Sequence, residues 1–198
     1  MLIEETTVPD AALPVEDFKA HLRLGTGFGQ ETTQNEVLQS FLRAAMAAVE
    51  ARTAKILIER SFSWSLTFWR DLDSQVLPVS PVQSVTRLAI VARDGTSTDA
   101  PQESFWLQRD AHRPRLRATG ASLPFIPDAG TARIEFDAGY ATEWSGVPAD
   151  LKQAVLLLAA HYYEYRHETN LGDGCMPFGV TSLIERYKSL RIGFGGGK

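Results

Sequence analysis

Ile134-Glu135-Phe136-Asp137-Ala138-Gly139-Tyr140 leads through a short polar stretch into Val147-Pro148-Ala149-Asp150-Leu151 and then into the apolar run Ala154 to Ala160. In the first part Ile134 and Phe136 alternate with Glu135 and Asp137, the period-two signature of a strand with one apolar face. In the last part Leu151, Val155, Leu158, Tyr162 and Tyr165 recur at helical spacing, and Pro148 suits the first helical position. Ala138-Gly139-Tyr140 is the break between them. A β block ends there and a helical block resumes, so the expected fold class is α+β.

Upstream, the period-two pattern begins at Arg60: Phe62, Trp64, Leu66 and Phe68 alternate with Ser61, Ser63, Ser65 and Thr67. This predicts a strand with an apolar face turned to a core and a hydroxyl face turned away. Further strands are expected at about Ser84 to Ala92, Glu103 to Gln108, Arg115 to Ala118 and Thr131 to Ala138, separated by turn signals at Pro78 to Pro81, Asp94-Gly95, Pro114, and Pro124 to Gly130. Five short strands with polar connections suggest a small antiparallel sandwich or barrel, inserted between helices.

The helical part is expected to have about four helices. Pro14 to Leu24 places Val15, Phe18 and Leu22 on one face, with Glu16 and Asp17 at the positive end of the helix dipole. Thr33 and Glu36 form a capping box for a second helix reaching about Thr53, whose Ala-rich middle permits close approach by a neighbour. The third helix, from Pro148, is apolar nearly all round and must be covered on several sides. Val180, Leu183, Ile184, Tyr187 and Leu190 form the last. The expected organisation is a helical core over 1–59 and 147–191, a β insertion over 60–146, and a flexible C-terminal tail over 192–198, whose glycines lose too much backbone entropy on ordering to hold a fixed structure alone.

With 198 residues and 44% hydrophobic composition the chain can bury a sizeable core. A formal net charge of −4 gives no basic footprint for neutralising phosphates, which disfavours a nucleic-acid-binding enzyme. The single cysteine, Cys175, excludes an intrachain disulfide and has no zinc-site spacing around it. Met1 to Glu5 lacks the features of a signal peptide and no apolar run spans a bilayer, so a soluble protein not exported by signal is expected.

Chemical constellations are sparse. Gly25 to Gly29 lacks the spacing, the preceding strand and the Lys-Ser/Thr of a phosphate loop, and reads as a helix connection. Glu164-x-x-His167 has the spacing of a di-iron helical ligand pair, but no second Glu-x-x-His or supporting helical glutamates accompany it. His21 and His112 are isolated, and no Gly-x-Ser-x-Gly or Ser/His/Asp arrangement is visible. No enzyme, metal or cofactor is expected.

The order of features carries more. Glu16 to Leu24, the Ala-rich Ala44 to Leu57 with Glu50 and Arg52, the Pro-rich lead-in Leu77 to Val85, Phe136-Asp137-Ala138-Gly139-Tyr140 and Pro148 to Ala154 together resemble the head-tail connector (adaptor) proteins of long-tailed bacteriophages and gene transfer agents. Shorter members of that group are nearly all helical, and the β insertion departs from them. The resemblance implies a homo-oligomeric ring, a dodecamer, in the neck of a virion or gene transfer agent particle, assembled in the host cytoplasm. The ring would sit between the portal and the stopper or tail-completion protein and let DNA pass without specific binding. Portal binding is expected at Arg191, Ile192, Gly193 and Phe194. A ring interface is expected at Ala44, Ala45, Ala48, Leu156, Leu157 and Ala160, where small or apolar residues suit a heterologous contact that closes by rotation. The alternative from another class is a small-ligand or carbohydrate-binding module, using Trp64, Trp69, Trp106 or Trp144.

Overall fold

The computed structural model describes residues 1–24, 32–166 and 176–188. The Gly25 to Gly29 connection, the Thr33 side chain, His167, Cys175, Leu190 and Arg191 to Phe194 lie outside what is described. In chain order the elements are β1 (Leu2–Glu4), α1 (Val15–His21), α2 (Thr32–Thr53), β2 (Arg60–Leu66), β3 (Ser74–Val76), β4 (Val82–Val91), β5 (Ser97–Asp99), β6 (Phe105–Gln108), β7 (Arg115–Ala118), β8 (Thr131–Ala138), α3 (Ala149–Glu164) and α4 (Phe178–Ile184). The fold is α+β.

The strands form two antiparallel sheets, one of five in the order β1-β2-β8-β4-β5 and one of three in the order β3-β7-β6. Phe62, Leu88, Ile134 and Phe136 of the larger sheet share a core with Phe105 and Leu116 of the smaller one. A common core between two layers makes this a sandwich rather than a barrel. Phe62 and Phe136, opposite in register, stack with ring centroids 5.7 Å apart. Phe68 does not join them. β2 stops at Leu66, and Phe68, expected on the core face, is 71% exposed in the following turn.

The helical core is separate. Phe18 of α1, Leu38, Leu42, Ala45 and Val49 of α2, Leu151, Val155 and Leu158 of α3, and Val180 and Ile184 of α4 bury one another. α2 packs along α3, α1 packs against both, and α4 covers another side of α3, as a helix apolar on most of its circumference requires. α1 ends at His21 rather than Leu24, because Arg23 takes a positive φ of 55° that a helix cannot continue. The last helix tightens into a 3₁₀ turn over Glu185–Tyr187.

Gly139 joins the two parts. Its amide donates to Pro81 O at 2.9 Å and its carbonyl accepts from Gln83 Nε2 at 2.7 Å. Tyr140 N, next along, lies 3.2 Å from both Ile56 O and Leu57 O. Gly139 has φ +149°, and a Cβ there would sit 2.3 Å from Glu59 Cα and 2.4 Å from Glu59 N. Only glycine lets the end of β8 lie this close to the 56–59 segment leading into β2.

Candidate assembly surfaces

The residues expected at a ring interface fall into different environments. Ala45 of α2 is fully buried and Ala160 of α3 nearly so, both inside the subunit's own helical core. Ala48, Leu156 and Leu157 are half-buried, and Ala44 is exposed. On α2 the exposed positions Val37, Ser40, Ala44, Ala47 and Ala51 recur at three- and four-residue steps and therefore form one outward stripe of mostly small side chains. A second helix can approach such a stripe closely.

Two clusters of buried charge fasten the end of α2 and the segment after it to the sandwich. Glu50 of α2 accepts the Leu57 amide through Oε1 at 2.8 Å and pairs with Arg60 Nη2 through Oε2 at 2.6 Å. Arg60 also holds Glu4 of β1 at 2.9 Å. Burial pushes the Glu50 carboxyl above its ordinary range, against the pull of the Arg60 guanidinium. Arg60 Nε is buried without a partner among the described residues, so the guanidinium depends on its two carboxylates. Lys55, 1% exposed, donates from Nζ to Ser80 Oγ at 2.7 Å and to the Ala111 carbonyl at 2.5 Å, with His112 Nδ1 at 3.3 Å. Burial lowers the Lys55 ammonium below its ordinary value, with Asp110 opposing the shift. Both clusters spend their hydrogen bonds on backbone and side chains of the joint. Their arrangement is that of a rigid connection between α2 and the sheets.

The end of the sandwich remote from the helices has a different character. Leu72 O accepts the Leu123 amide at 2.8 Å, and Trp69 Nε1 donates to Pro124 O at 2.7 Å, tying the turn after β2 to the segment before β8. Phe68 at 71%, Leu72 at 78% and Phe125 at 81% exposure stand on these two tied segments. Three large apolar side chains therefore stand exposed at this end of the sandwich. The sequence reading missed this end. Its signal was Pro124-Phe125-Ile126-Pro127, an aromatic held between prolines within a turn.

Among the described residues no group of three His, Cys, Asp or Glu is placed to hold a metal ion. No helix among them is long and apolar enough to cross a membrane. The four tryptophans do not converge: Trp144 packs on the helical core, Trp64 and Trp69 pack on the sandwich core, and Trp106 is half-exposed on β6.

No protein-family model and no curated protein matches the chain. Solved structures do. The chain is similar to a component of the neck of an empty gene transfer agent particle computed with C6 symmetry, at 50% identity and TM-score 0.89, with 98% of each chain covered. It is similar to a component of the virion of a native gene transfer agent particle at 50% identity and TM-score 0.86, and to one of the neck of a native particle computed with C12 symmetry at 47% and 0.83, with 98% of each chain covered in both cases. Identity at this level over whole chains, with both sheets and all four helices in place, shows that the chain belongs to the family of neck proteins of gene transfer agent particles.

Proposed function

We propose that this neck protein is a non-enzymatic head-tail adaptor: a homo-oligomeric ring that sits under the portal, joins the DNA-filled head to the stopper or tail, and lets DNA pass. The observation that carries this reading is the whole-chain similarity to neck components in structures computed with C6 and C12 symmetry. A chain repeated about such an axis meets its neighbours through one heterologous interface that closes by rotation. The exposed stripe through Ala44 on α2, with the half-buried Leu156 and Leu157 of α3, supplies small and apolar surface for that contact. A net charge of −4 suits a conduit, since a wall rich in lysine and arginine would retain the phosphate backbone.

Docking to the portal is assigned to Arg191, Ile192, Gly193 and Phe194, with the aliphatic and aromatic side chains as anchors. The test is a double variant, Ile192→Gly with Phe194→Gly, mixed with the portal protein and followed by light scattering and negative-stain imaging. The variant should fold normally and lose portal joining. Joining at wild-type level would remove the docking assignment, and a wild-type chain that neither forms rings nor joins the portal would remove the adaptor reading.

A further inference from the structure

Among the described residues the five-stranded sheet has two free edges, β1 and β5, at its opposite sides. In register, Leu2 lies opposite Trp64, Trp64 opposite Ile134, and Ile134 opposite Leu88, while Ala100 N donates to Leu88 O at 2.8 Å just beyond β5. Directly opposed residues share a face. One row of side chains therefore crosses the sheet from Leu2 at one edge to Ala100 at the other, on the face that covers the sandwich core. At the β5 edge this face opens into a cleft of about 670 Å³, lined by Ile90, Thr98, Ala100, Leu123, Phe125 and Pro127. At the β1 edge the same face ends in a protruding Leu2, 38% exposed, beside Ile3 at 41%.

The main chain matches as well. Ser65 N donates to Met1 O and Glu5 N to Ser61 O, so alternate residues of β1 bond inward and the backbone groups of Leu2 and Glu4 point away from the sheet. On the other side Ala92 N donates to Thr96 O and Ala100 N to Leu88 O, which leaves the backbone groups of Ser97 and Asp99 pointing outward. Each edge presents a short unpaired ladder of the kind that accepts another strand. The carboxylates at the two edges are already engaged, Glu4 with Arg60 at 2.9 Å and Asp99 with Arg87 at 2.7 Å, so bringing the edges together does not set bare charges against each other.

We infer that the β sandwich helps close the ring: the β1 edge of one subunit adds to the β5 edge of the next, and Leu2 enters the neighbour's cleft. The occupant is a second copy of this chain, because a knob at one edge and a cleft at the opposite edge make the head-to-tail contact that a cyclic repeat requires, and the similar neck structures were computed with C6 and C12 symmetry. This rests on the ring reading above and gives the insertion a part in it. In a Cys175→Ser background, the double variant Leu2→Cys with Thr98→Cys is assembled with the portal protein, imaged, and treated with a short bismaleimide. A ladder of linked multimers is the expected result, each single-cysteine variant remaining a monomer on the gel.

Intact rings with no ladder, or linkage to a different neck protein, would overturn this contact while leaving the ring reading in place. Absence of rings in the wild-type preparation would overturn both. As a second measurement, Leu2→Asp and Phe125→Asp, each at an exposed position and so compatible with folding, should each weaken ring assembly roughly tenfold or more, since a carboxylate would be buried unpaired at the contact. Undiminished assembly of both would refute the placement.

Discussion

Replacing Gly139 by alanine tests the joint between sandwich and helices. A Cβ at this position would lie 2.3 Å from Glu59 Cα, 2.4 Å from Glu59 N and 2.8 Å from Ile58 C, where ordinary contacts begin at 3.4 Å. All three are backbone atoms, so no side chain can rotate away. The two segments must part by about 1 Å, straining Gly139 N to Pro81 O and Glu59 N to Ala141 O, both 2.9 Å. Holding a non-glycine residue at φ +149° costs about 1–3 kcal/mol, and overpacking a close contact costs about 1–3 kcal/mol more. The total, about 4 kcal/mol, corresponds to a fall of roughly 8–16 °C in Tm for a chain of this size. Gly95→Ala is the control: φ is +88° there, but a Cβ would meet nothing within 4 Å, so only a backbone cost of about 1–2 kcal/mol applies, roughly 2–8 °C. Differential scanning calorimetry of the two variants reads the difference. Equal shifts, or a Gly139→Ala protein melting within about 3 °C of wild type, would refute the claim that close backbone approach fixes this joint.

Glu50→Ala removes one of the two carboxylates on a guanidinium whose side chain is 8% exposed and orphans the Leu57 amide; a loss of about 3 kcal/mol is expected in denaturant unfolding, whereas Glu50→Gln, which keeps an acceptor for Leu57, should lose less than half of that. Two of the basic-range shifts, those of Lys55 and Tyr140, act in opposite directions. Burial holds Lys55 below its ordinary 10.5 in the folded chain, so between its folded value and 10.5 the unfolded chain binds more protons and stability rises with pH. Tyr140, pushed up to about 12 by burial, reverses the sign above its ordinary 10.0: the folded chain then holds more protons, and stability falls as pH climbs toward 12. Unfolding free energy followed across the alkaline range should show a rise that Lys55→Met flattens and a later fall that Tyr140→Phe reduces.

What the sequence disclosed and what it hid divide along physical lines. β2 and β8 were legible because each is long enough, seven and eight residues, for a period-two pattern to emerge against one buried face. β1, β3 and β5 are three residues each, too short for any period, and they exist because neighbouring strands offer them a ladder. Helical spacing correctly placed Leu151, Val155 and Leu158 on a buried face, but it carries no information on whether the covering partner is the same chain or a neighbour. That is why Ala45 and Ala160, read as surfaces for another subunit, lie inside their own. Phe68 misled for a related reason: its parity continues the apolar face of β2, yet the strand ends first and the aromatic is left on the apolar end of the sandwich. The Glu50–Arg60 and Lys55–Ser80 contacts join residues that are charged or polar in the sequence and acquire their meaning only when α2 and the sheets meet.

This chain is expected to work as a ring in the neck. Light scattering combined with negative-stain imaging of the purified full-length protein, alone and with the portal protein, tests it most directly. Closed rings are expected, on the portal if not before it, with a mass many times the 21.9 kDa subunit and six- or twelve-fold symmetry in the averages. A chain that stays at subunit mass in both preparations would contradict it.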